Sequence, residues 1–468
     1  MKFNRLLASA TAAIALSMSV SATAPKYVFY FIGDGMGIGP VMATMNYLRT
    51  VHPEQKQLTM TSFPVASFAQ TWSASSPVTD SAAAGTALST GRKTKNGMLG
   101  MDADTVSVTS VARILKDNGW GIGVLTSVAP DDATPGAFYA HVPKRSMFYE
   151  IDIQAAKSGY DFLGGASLRG LTDKNGNATD VADVMAENGV TIVYGPEGAA
   201  TIKDQSRVIL LGNPDVNPNN NEIGYTIDSI PGALTLPLMT ETCLTYLEKK
   251  SPDRFFMMVE GGNIDHALHA NDGGTAVKEI INFDQAIDLA YQFYLAHPDE
   301  TLIVVTADHD TGGLANGNRR LKYAANYQYL DSQRQSKEML SEYCKAMLKS
   351  RRIFTWEDMK EYLSENLGLW KAIPVTESEE KNLQELFAKC FERRESTDEK
   401  TLYADFNEFA VEVIDIVNGN IGFGFTTTSH TGNPVPVFAV GVGAERFSKL
   451  NNNIDIPEKI LDIIGLSK

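Results

Sequence analysis

The chain has 468 residues, 43% of them hydrophobic, so it can bury a sizeable core in one large domain or in two to three smaller ones. Its 41 lysines and arginines face 56 aspartates and glutamates, and the formal net charge of −15 disfavours nucleic acid or an anionic membrane surface as a partner. Any anionic substrate therefore has to be attracted locally, by a metal ion or by arginine.

The N-terminal segment has the features of an export signal. Lys2 and Arg5 precede an apolar stretch of small residues that contains possible cleavage sites after Ala22 and Ala24. This order is typical of a secretory signal peptide, and we expect residues 1–22 to be one. A membrane anchor is the alternative, but the apolar stretch is short and poor in large residues. No later segment looks able to span a bilayer, so we expect no membrane span in the mature chain and a periplasmic or secreted location.

Short apolar runs alternate with helical patterns, such as those over 106–118 and 277–295, through most of the chain. This alternation predicts an α/β fold with a doubly wound, mostly parallel central sheet and helices on both faces. In such sheets ligands bind beyond the carboxyl ends of the strands. The predicted buried strands are 27–32, 123–126, 208–211, 255–259, 302–306 and 435–442.

The region 316–420 differs from the rest because it is dense in charge and helical in pattern. We expect a largely helical insertion within a single domain that spans residues 23–468. Cys344 and Cys390 fall at helical-face spacings in this region, which favours buried thiols, with a disulfide between them as the alternative. The two sequences that fit N-terminal capping boxes are 355–358 and 376–379.

The stretch 78–97 reads VTDSAAAGTALSTGRKTKNG and predicts an alanine-rich helix that stops at Gly91. Thr79, Asp80 and Ser81 are all good N-cap residues. Ser81 therefore has two interpretations. It is a plain helix cap, or it is a nucleophile at an anion-binding helix N-terminus.

Polar side chains collect where four of the predicted strands end, which helix capping alone explains poorly. Carboxylates, a histidine and a hydroxyl at one edge of a parallel sheet indicate a site for metal ions or for acid–base chemistry. The residues are Asp34, Asp132, Thr134, Glu260, Asp308 and His309.

Asp265 and His269 stand four residues apart, so on a helix they face the same way and suit a metal ion such as zinc. His430 comes just before the last predicted strand and can reach the same edge. Together with the residues at the strand ends, these ligands are too many for one zinc ion and about right for two or three metal ions. The hard oxygen ligands of Glu260 and Thr134 suit magnesium.

These motifs resemble those of the alkaline phosphatases, a family of metal-dependent phosphomonoesterases. The resemblance covers roughly residues 26–315 and 422–445 and leaves out the insertion. It implies hydrolysis of phosphate monoesters through a phosphoserine, with release of inorganic phosphate and an alcohol. The matching motifs are 33–37, 79–87, 132–135 with Arg145, 259–265 with His269, 306–309 and 429–432.

The resemblance also implies a role for each matching position. Ser81 matches the nucleophile, Arg145 the arginine that grips two phosphate oxygens, and Asp80 a residue that donates its backbone N–H to phosphate and helps to set the arginine. His266 stands at a position that varies in the family and is expected to touch phosphate through water; a surface histidine is the alternative. The implied ligands are Asp265, His269 and His430 for one zinc ion; Asp34, Asp308 and His309 for a second zinc ion; and Asp34, Glu260 and Thr134 for one magnesium ion, which Asp132 reaches through water.

Other functions stay open. A phosphodiesterase of the same superfamily would keep the zinc ligands, but Arg145, Glu260 and Thr134 favour monoesters. A non-catalytic periplasmic zinc- or phosphate-binding protein would need the ligands without a nucleophile. The resemblance further implies a possible homodimer, and it suggests that the insertion lies near the dimer interface and the site mouth, where it modulates access or dimerisation. A surface subdomain without such a role is the alternative.

Overall fold

The computed structural model describes residues 24–55, 57–217, 221–350 and 354–466, and the expected signal peptide, 1–22, lies outside the described residues. The described strands are β1 Tyr27–Gly33, β2 Val65–Gln70, β3 Gly121–Thr126, β4 Phe162–Gly165, β5 Val190–Tyr194, β6 Arg207–Leu211, β7 Phe255–Gly261, β8 Thr301–Ala307, β9 Asp310–Thr311, β10 Ala315–Asn316, β11 Asp398–Lys400, β12 Asp405–Asn407, β13 Phe423–Gly424, β14 His430–Thr431, β15 Val435–Gly441 and β16 Asn451–Asn452. The described α-helices are α1 Ile38–Val51, α2 Ser81–Thr90, α3 Val111–Asp117, α4 Ala133–Gly136, α5 Phe148–Lys157, α6 Val181–Glu187, α7 Gly195–Ala199, α8 Leu236–Lys250, α9 Asn263–His269, α10 Gly273–Ala296, α11 Lys337–Lys349, α12 Trp356–Leu367, α13 Glu377–Phe387, α14 Glu408–Ile421 and α15 Asp455–Ile464.

Ten strands form one central sheet in the order β16-β2-β15-β8-β1-β7-β3-β4-β6-β5. Neighbouring strands are parallel, except that β15 runs antiparallel to both β2 and β8. The predicted mostly parallel α/β sheet is therefore confirmed. All six predicted strands belong to it.

Strand β1 shows why both faces of the sheet carry helices. Successive side chains of a strand point to opposite faces. Phe31 packs edge-on against Phe283 of α10, whereas the hydroxyl of Tyr30 donates to the carbonyl of Leu88 in α2. Both faces are buried, so the whole strand reads as one apolar run.

The central strands end level with one another, which brings their polar residues together. In the parallel register Ile32 of β1 pairs with Glu260 of β7, and Gly33 pairs with Ala307 of β8. Thr126, the last residue of β3, also pairs with Glu260. The residues that follow β1, β3 and β8 therefore meet Glu260 at one edge of the sheet.

The predicted helix over 277–295 lies within α10, but the one over 106–118 is wrong in its first part. Helix α3 begins only at Val111, because the side chain of Ser110 caps it by accepting the N–H of Arg113 at 3.1 Å. The segment before it forms an isolated bridge in which Ser107 pairs with Met101.

The region 316–420 lies between β8 and β15 in the sequence and contains α11, α12, α13, most of α14 and the hairpin of β11 and β12. Thr355 and Thr376 each form the predicted capping box, with Asp358 and Glu379 as the reciprocal partners. The side chain of Asp272, just after α9, accepts the backbone N–H of Lys337 at 2.7 Å, so this region is tied to the core beside α9.

Cys243, Cys344 and Cys390 are all buried and carry free thiols. The favoured interpretation of buried thiols therefore agrees with the structure. Among the described residues, no helix is both long and apolar enough to cross a membrane.

Candidate active site

Helix α2 begins at the candidate nucleophile, and its cap is the residue before it. Asp80 is the N-cap, since its Oδ1 accepts the N–H of Ala83 at 2.9 Å and its Oδ2 accepts the N–H of Gly97 at 2.8 Å. Ser81 is 1% exposed, and its Oγ lies 3.2 Å from Nε2 of His309. The interpretation of Ser81 as a plain helix cap is wrong, because Asp80 fills that position and leaves the serine hydroxyl at the positive end of the helix.

The backbone N–H of Asp80 has a different partner from the one the resemblance implied. It donates to Oδ1 of Asn96 at 3.3 Å, so this N–H already has a partner within the chain. The N–H groups of Ser81 and Ala82 belong to the first turn of α2 and have no intrahelical acceptor. They are the N–H groups that this helix can offer to an anion.

Three residues beside Ser81 form a compact group of possible metal ligands. Nε2 of His309 lies 3.3 Å from Oδ1 of Asp34 and 3.0 Å from Oδ2 of Asp308, and their donor atoms all lie within 4.8 Å of one another. Burial, and then the neighbouring Asp308 carboxylate, raises the pKa of Asp34 well above its ordinary value. A bound divalent cation would remove this penalty.

A second group lies on α9 and on β14. Nε2 of His269 is 3.3 Å from Oδ2 of Asp265 and 3.0 Å from Nε2 of His430. Nδ1 of His269 donates to the carbonyl of Thr428 at 2.6 Å, and Nδ1 of His430 donates to the carbonyl of Thr79 at 2.8 Å. These bonds turn the two Nε2 atoms toward each other, an arrangement that a shared cation would stabilise.

His309 stands between the two groups. Asp265, His309 and His430 also bring one donor atom each within 4.8 Å of one another, so His309 belongs geometrically to both groups. Burial, and then the charge of nearby His309, lowers the pKa of His430 to about 4. A neutral imidazole is the form that ligates metal ions.

Two glycines allow the segments that carry these residues to pack closely against one another. Gly35 has a φ of 68°, and a Cβ there would lie 2.6 Å from Oδ1 of Asp265, so the loop that carries Asp34 can approach α9 only with glycine. In α2, a Cβ on Gly85 would lie 2.9 Å from Cα of Thr134, so this glycine lets α4 pack closely against the helix of Ser81.

Glu260 and Thr134 form an oxygen-rich corner. Glu260 is 1% exposed and accepts a hydrogen bond from the hydroxyl of Thr126. Burial raises the pKa of Glu260 to about 8. Thr134 is also 1% exposed, and its Oγ1 has no hydrogen-bond partner in the described part of the chain.

Asp132 is held between two arginines. Its Oδ1 accepts a hydrogen bond from Nη2 of Arg145 at 2.8 Å, and its Oδ2 lies 3.2 Å from Nη2 of Arg169. Burial opposes ionisation, but Arg169 and Arg145 together hold the pKa of Asp132 well below its ordinary value. Nη1 of Arg145 also lies 3.8 Å from Oδ2 of Asp80, so the arginine links Asp132 to the cap of α2.

His266 is 7% exposed, so the interpretation of a surface histidine is wrong. Its Nδ1 lies 3.0 Å from Oε2 of Glu222, and its ring stacks on that of Tyr403 with 3.9 Å between the centroids. Nη2 of Arg145 donates to the hydroxyl of Tyr403 at 3.4 Å.

Sequence reasoning missed three residues of this site, and each for a traceable reason. Arg169 follows β4, a strand too short and glycine-rich to be predicted, so the sequence does not mark a strand end before it. Tyr403 lies in the insertion, outside the resemblance. Glu222 has no motif around it, and nothing in the sequence links it to His266.

The orphaned polar atoms test whether these residues fit metal ions. Five buried oxygens of the predicted ligands make no hydrogen bond among the described residues, although four of them lie 3.0–3.3 Å from an arginine or imidazole nitrogen. Carboxylate and hydroxyl oxygens next to imidazole nitrogens are the ligands that zinc and magnesium take. The five atoms are Asp34 Oδ1, Asp132 Oδ2, Thr134 Oγ1, Asp265 Oδ2 and Asp308 Oδ2.

Comparisons with known proteins agree on one family. The family model described as alkaline phosphatase matches residues 25–166 and 218–466. Alkaline phosphatase 4 of Bacillus subtilis (strain 168) is 30% identical over 404 residues, which cover 84% of this chain and 77% of that protein. Alkaline phosphatase 3 of the same organism is 30% identical over 446 residues, which cover 93% of this chain and 88% of that protein.

Solved structures give the same result for the fold. The cold-active alkaline phosphatase from the psychrophile Shewanella sp. superimposes with a TM-score of 0.78 at 26% identity, over 93% of this chain and 99% of that one. The alkaline phosphatase of Thermus thermophilus superimposes with a TM-score of 0.75 at 22% identity, over 95% of this chain and 92% of that one, and supports the fold alone.

Proposed function

Since this chain belongs to the alkaline phosphatase family and is a phosphatase that hydrolyses phosphate monoesters, we propose that it works through a phosphoserine formed on Ser81. The observation that carries this proposal is the position of the Ser81 hydroxyl. It lies at the positive end of α2, 3.2 Å from Nε2 of His309, beside two groups of metal ligands.

The residues present fit two zinc ions and one magnesium ion. Asp34, Asp308 and His309 would hold the zinc ion next to Ser81, and Asp265, His269 and His430 would hold the other. Asp34, Glu260 and Thr134 would hold magnesium, and Asp132 would reach it through water. When bound, the metal ions supply Lewis-acid stabilisation to the oxygens that carry negative charge in the transition state. The proposed ligand residues are therefore Asp34, Asp132, Thr134, Glu260, Asp265, Asp308, His269, His309 and His430.

The chain's own groups bind the phosphate and orient it for attack. Arg145 would grip two phosphate oxygens with its guanidinium, a charge-assisted arrangement that fixes both position and orientation. The N–H groups of Ser81 and Ala82 at the start of α2 would donate to the same phosphate. His266 would contact it through water.

The reaction then proceeds in two displacements. Oγ of Ser81 gives its proton to solvent and attacks phosphorus, the bond from phosphorus to the leaving alcohol oxygen breaks, and that oxygen takes up a proton from solvent. Water then attacks the phosphoserine and gives up a proton, the bond from phosphorus to Oγ breaks, and Oγ takes up a proton, so the free serine is regenerated and inorganic phosphate is released. Desolvation by the buried site strengthens each electrostatic contact.

Replacing Ser81 tests the proposal directly. Ser81→Ala should abolish turnover of a phosphate monoester while zinc content and inorganic phosphate binding stay close to those of the parent protein. Ser89→Ala is the matched control, since Ser89 is buried in the same helix and donates to the carbonyl of Ala137, away from the site. Retained turnover in Ser81→Ala would overturn the nucleophile assignment.

Two further proposals rest on the sequence and on the family. We propose that the protein is exported to the periplasm or beyond, after removal of residues 1–22, and that the domain 23–468 forms a homodimer. Mass spectrometry of the mature N-terminus and sedimentation of the purified protein test these points.

A further inference from the structure

The hairpin of β11 and β12, within the region 316–420, has a hydrogen-bonded turn. A turn over residues 401–404 joins the two strands, and the N–H of Thr401 donates to the carbonyl of Ala404 at 2.9 Å. The hydroxyl of Thr401 donates to the same carbonyl at 2.8 Å. The turn is thus closed at its base and presents Tyr403.

Contacts with α11 fix the hairpin in place. The N–H of Asn407 donates to Oγ of Ser341 at 2.8 Å, and Nζ of Lys345 donates to the carbonyl of Asp405 at 2.9 Å. Lys337 donates to the carbonyl of Ala270, just after α9, at 2.9 Å. Helix α11 therefore contacts both the hairpin and the end of α9, the helix that carries Asp265, His266 and His269.

Tyr403 makes three contacts within the active site. Its ring stacks on the ring of His266, with 3.9 Å between centroids and 28° between planes. The ring of His269 meets it edge-on at 5.2 Å. Its hydroxyl accepts a hydrogen bond from Nη2 of Arg145 at 3.4 Å. Tyr403 thus contacts three residues of the proposed site. Arg145 would grip phosphate, His266 would reach it through water, and His269 is a proposed zinc ligand.

We propose that Tyr403 is a positioning residue of the phosphate site, which holds the Arg145 guanidinium and the His266 ring in the orientation that binds the phosphoryl group. This inference rests on the proposed function. An unrestrained arginine loses much rotamer freedom when it binds an anion, so restraint before binding increases affinity. The stack restricts rotation of the His266 ring in the same way.

The two halves of this role are separable by substitution. Tyr403→Phe removes the hydroxyl that accepts from Arg145 and keeps the ring on His266. Tyr403→Ala removes both. Leu402→Ala is the matched control, because Leu402 is in the same turn and its side chain is 60% exposed.

The experiment measures binding of inorganic phosphate to each zinc-loaded protein by calorimetry, together with kcat and KM for a small monoester. We expect Tyr403→Phe to weaken phosphate binding and to raise KM about threefold to tenfold with a smaller change in kcat, the size of effect expected for loss of one ordinary hydrogen bond. Tyr403→Ala should weaken binding further and should also lower kcat. Leu402→Ala should match the parent protein.

A double-mutant cycle separates positioning from simple support of the hairpin. In an Arg145→Ala background, Tyr403→Phe should have no further effect on phosphate affinity, because its partner is gone. Parent-like phosphate affinity in Tyr403→Phe, or an equal loss with and without Arg145, would overturn the inference. Failure of the parent protein to hydrolyse monoesters would instead overturn the proposed function, so the two outcomes are distinct.

Discussion

Asp80 and Ser81 divide two tasks that one residue often performs at a helix start. The Asp80 carboxylate caps α2 and faces Arg145, while the hydroxyl of Ser81 points toward His309. If a serine capped its own helix, its side-chain oxygen would accept a hydrogen bond from a backbone N–H. The aspartate before it therefore leaves the serine oxygen available for chemistry.

Arg145 should govern both phosphate affinity and substrate choice. In Arg145→Ala we expect inorganic phosphate to bind about 100-fold more weakly, which corresponds to loss of about 3 kcal/mol from charge-assisted hydrogen bonds. The preference for monoesters over diesters should fall as well, because a diester offers fewer free oxygens to the guanidinium. Steady-state kinetics on both substrate types measure the ratio, with exposed Arg92→Ala as the control. An unchanged ratio would contradict the assigned role.

Thr134 offers a test of the magnesium site that does not depend on turnover. Its buried Oγ1 lacks a hydrogen-bond partner among the described residues, as does Oγ1 of Thr240 in α8, away from the site. Thr134→Val and Thr240→Val should each stabilise the metal-free protein slightly, by up to about 1 kcal/mol, because an unsatisfied hydroxyl is removed. Only Thr134→Val should lose magnesium, as measured by elemental analysis. If Thr134→Val bound as much magnesium as Thr240→Val, the assignment of Thr134 as a magnesium ligand would be contradicted.

At the scale of elements, the cap of α2 also contributes to stability. Asp80→Ala removes the acceptor of two backbone N–H groups, those of Ala83 and Gly97. We expect it to lower the free energy of unfolding by about 1–2 kcal/mol, and Asp80→Asn to lower it less because asparagine also caps helices. Urea unfolding of the metal-free proteins measures the difference. Equal stabilities of the alanine and asparagine variants would contradict the capping role.

The elements that the sequence predicts well are those with strong periodicity. Strands β1, β7 and β8 are buried on both faces and read as continuous apolar runs. Strand β2 alternates between buried and exposed residues, and β4 has only four residues, two of them glycine, so neither produces such a run. The missed strands lie mostly toward the edges of the sheet, where the need for apolar residues is weaker.

The same reasoning explains which site residues the sequence indicates. Asp34 and Asp308 directly follow buried strands, and Glu260 is the last residue but one of β7, so a rule about strand ends finds all three. Tyr403 reaches the site only because a hairpin far along the chain is anchored to α11. Such a contact depends on tertiary packing and has no periodic signature.

At the scale of the whole molecule, the site concentrates buried carboxyls whose charge is unfavourable without cations. Burial raises the pKa of Glu260 to about 8 and that of Glu222 to about 7, against an ordinary value of 4.5. A group whose folded pKa is raised contributes stability below its unfolded pKa and loses it as the pH rises through the folded pKa. Metal-free protein should therefore lose stability between about pH 5 and pH 8.

Zinc and magnesium should reverse this dependence, because they bind the ionised ligands. We expect the stabilisation that the metal ions give to be larger at pH 8 than at pH 6. Urea unfolding of chelated and metal-loaded protein at both pH values measures it. Metal-free protein that is more stable at pH 8 than at pH 6 would contradict this prediction.

The central claim is metal-dependent hydrolysis of phosphate monoesters at the Ser81 site, and one measurement tests it most directly. The mature protein is assayed with a chromogenic phosphate monoester at mildly alkaline pH, before chelation, after chelation and after zinc and magnesium are restored. We expect rapid turnover that chelation abolishes and the metal ions restore. Absence of turnover in folded, metal-loaded protein would contradict it.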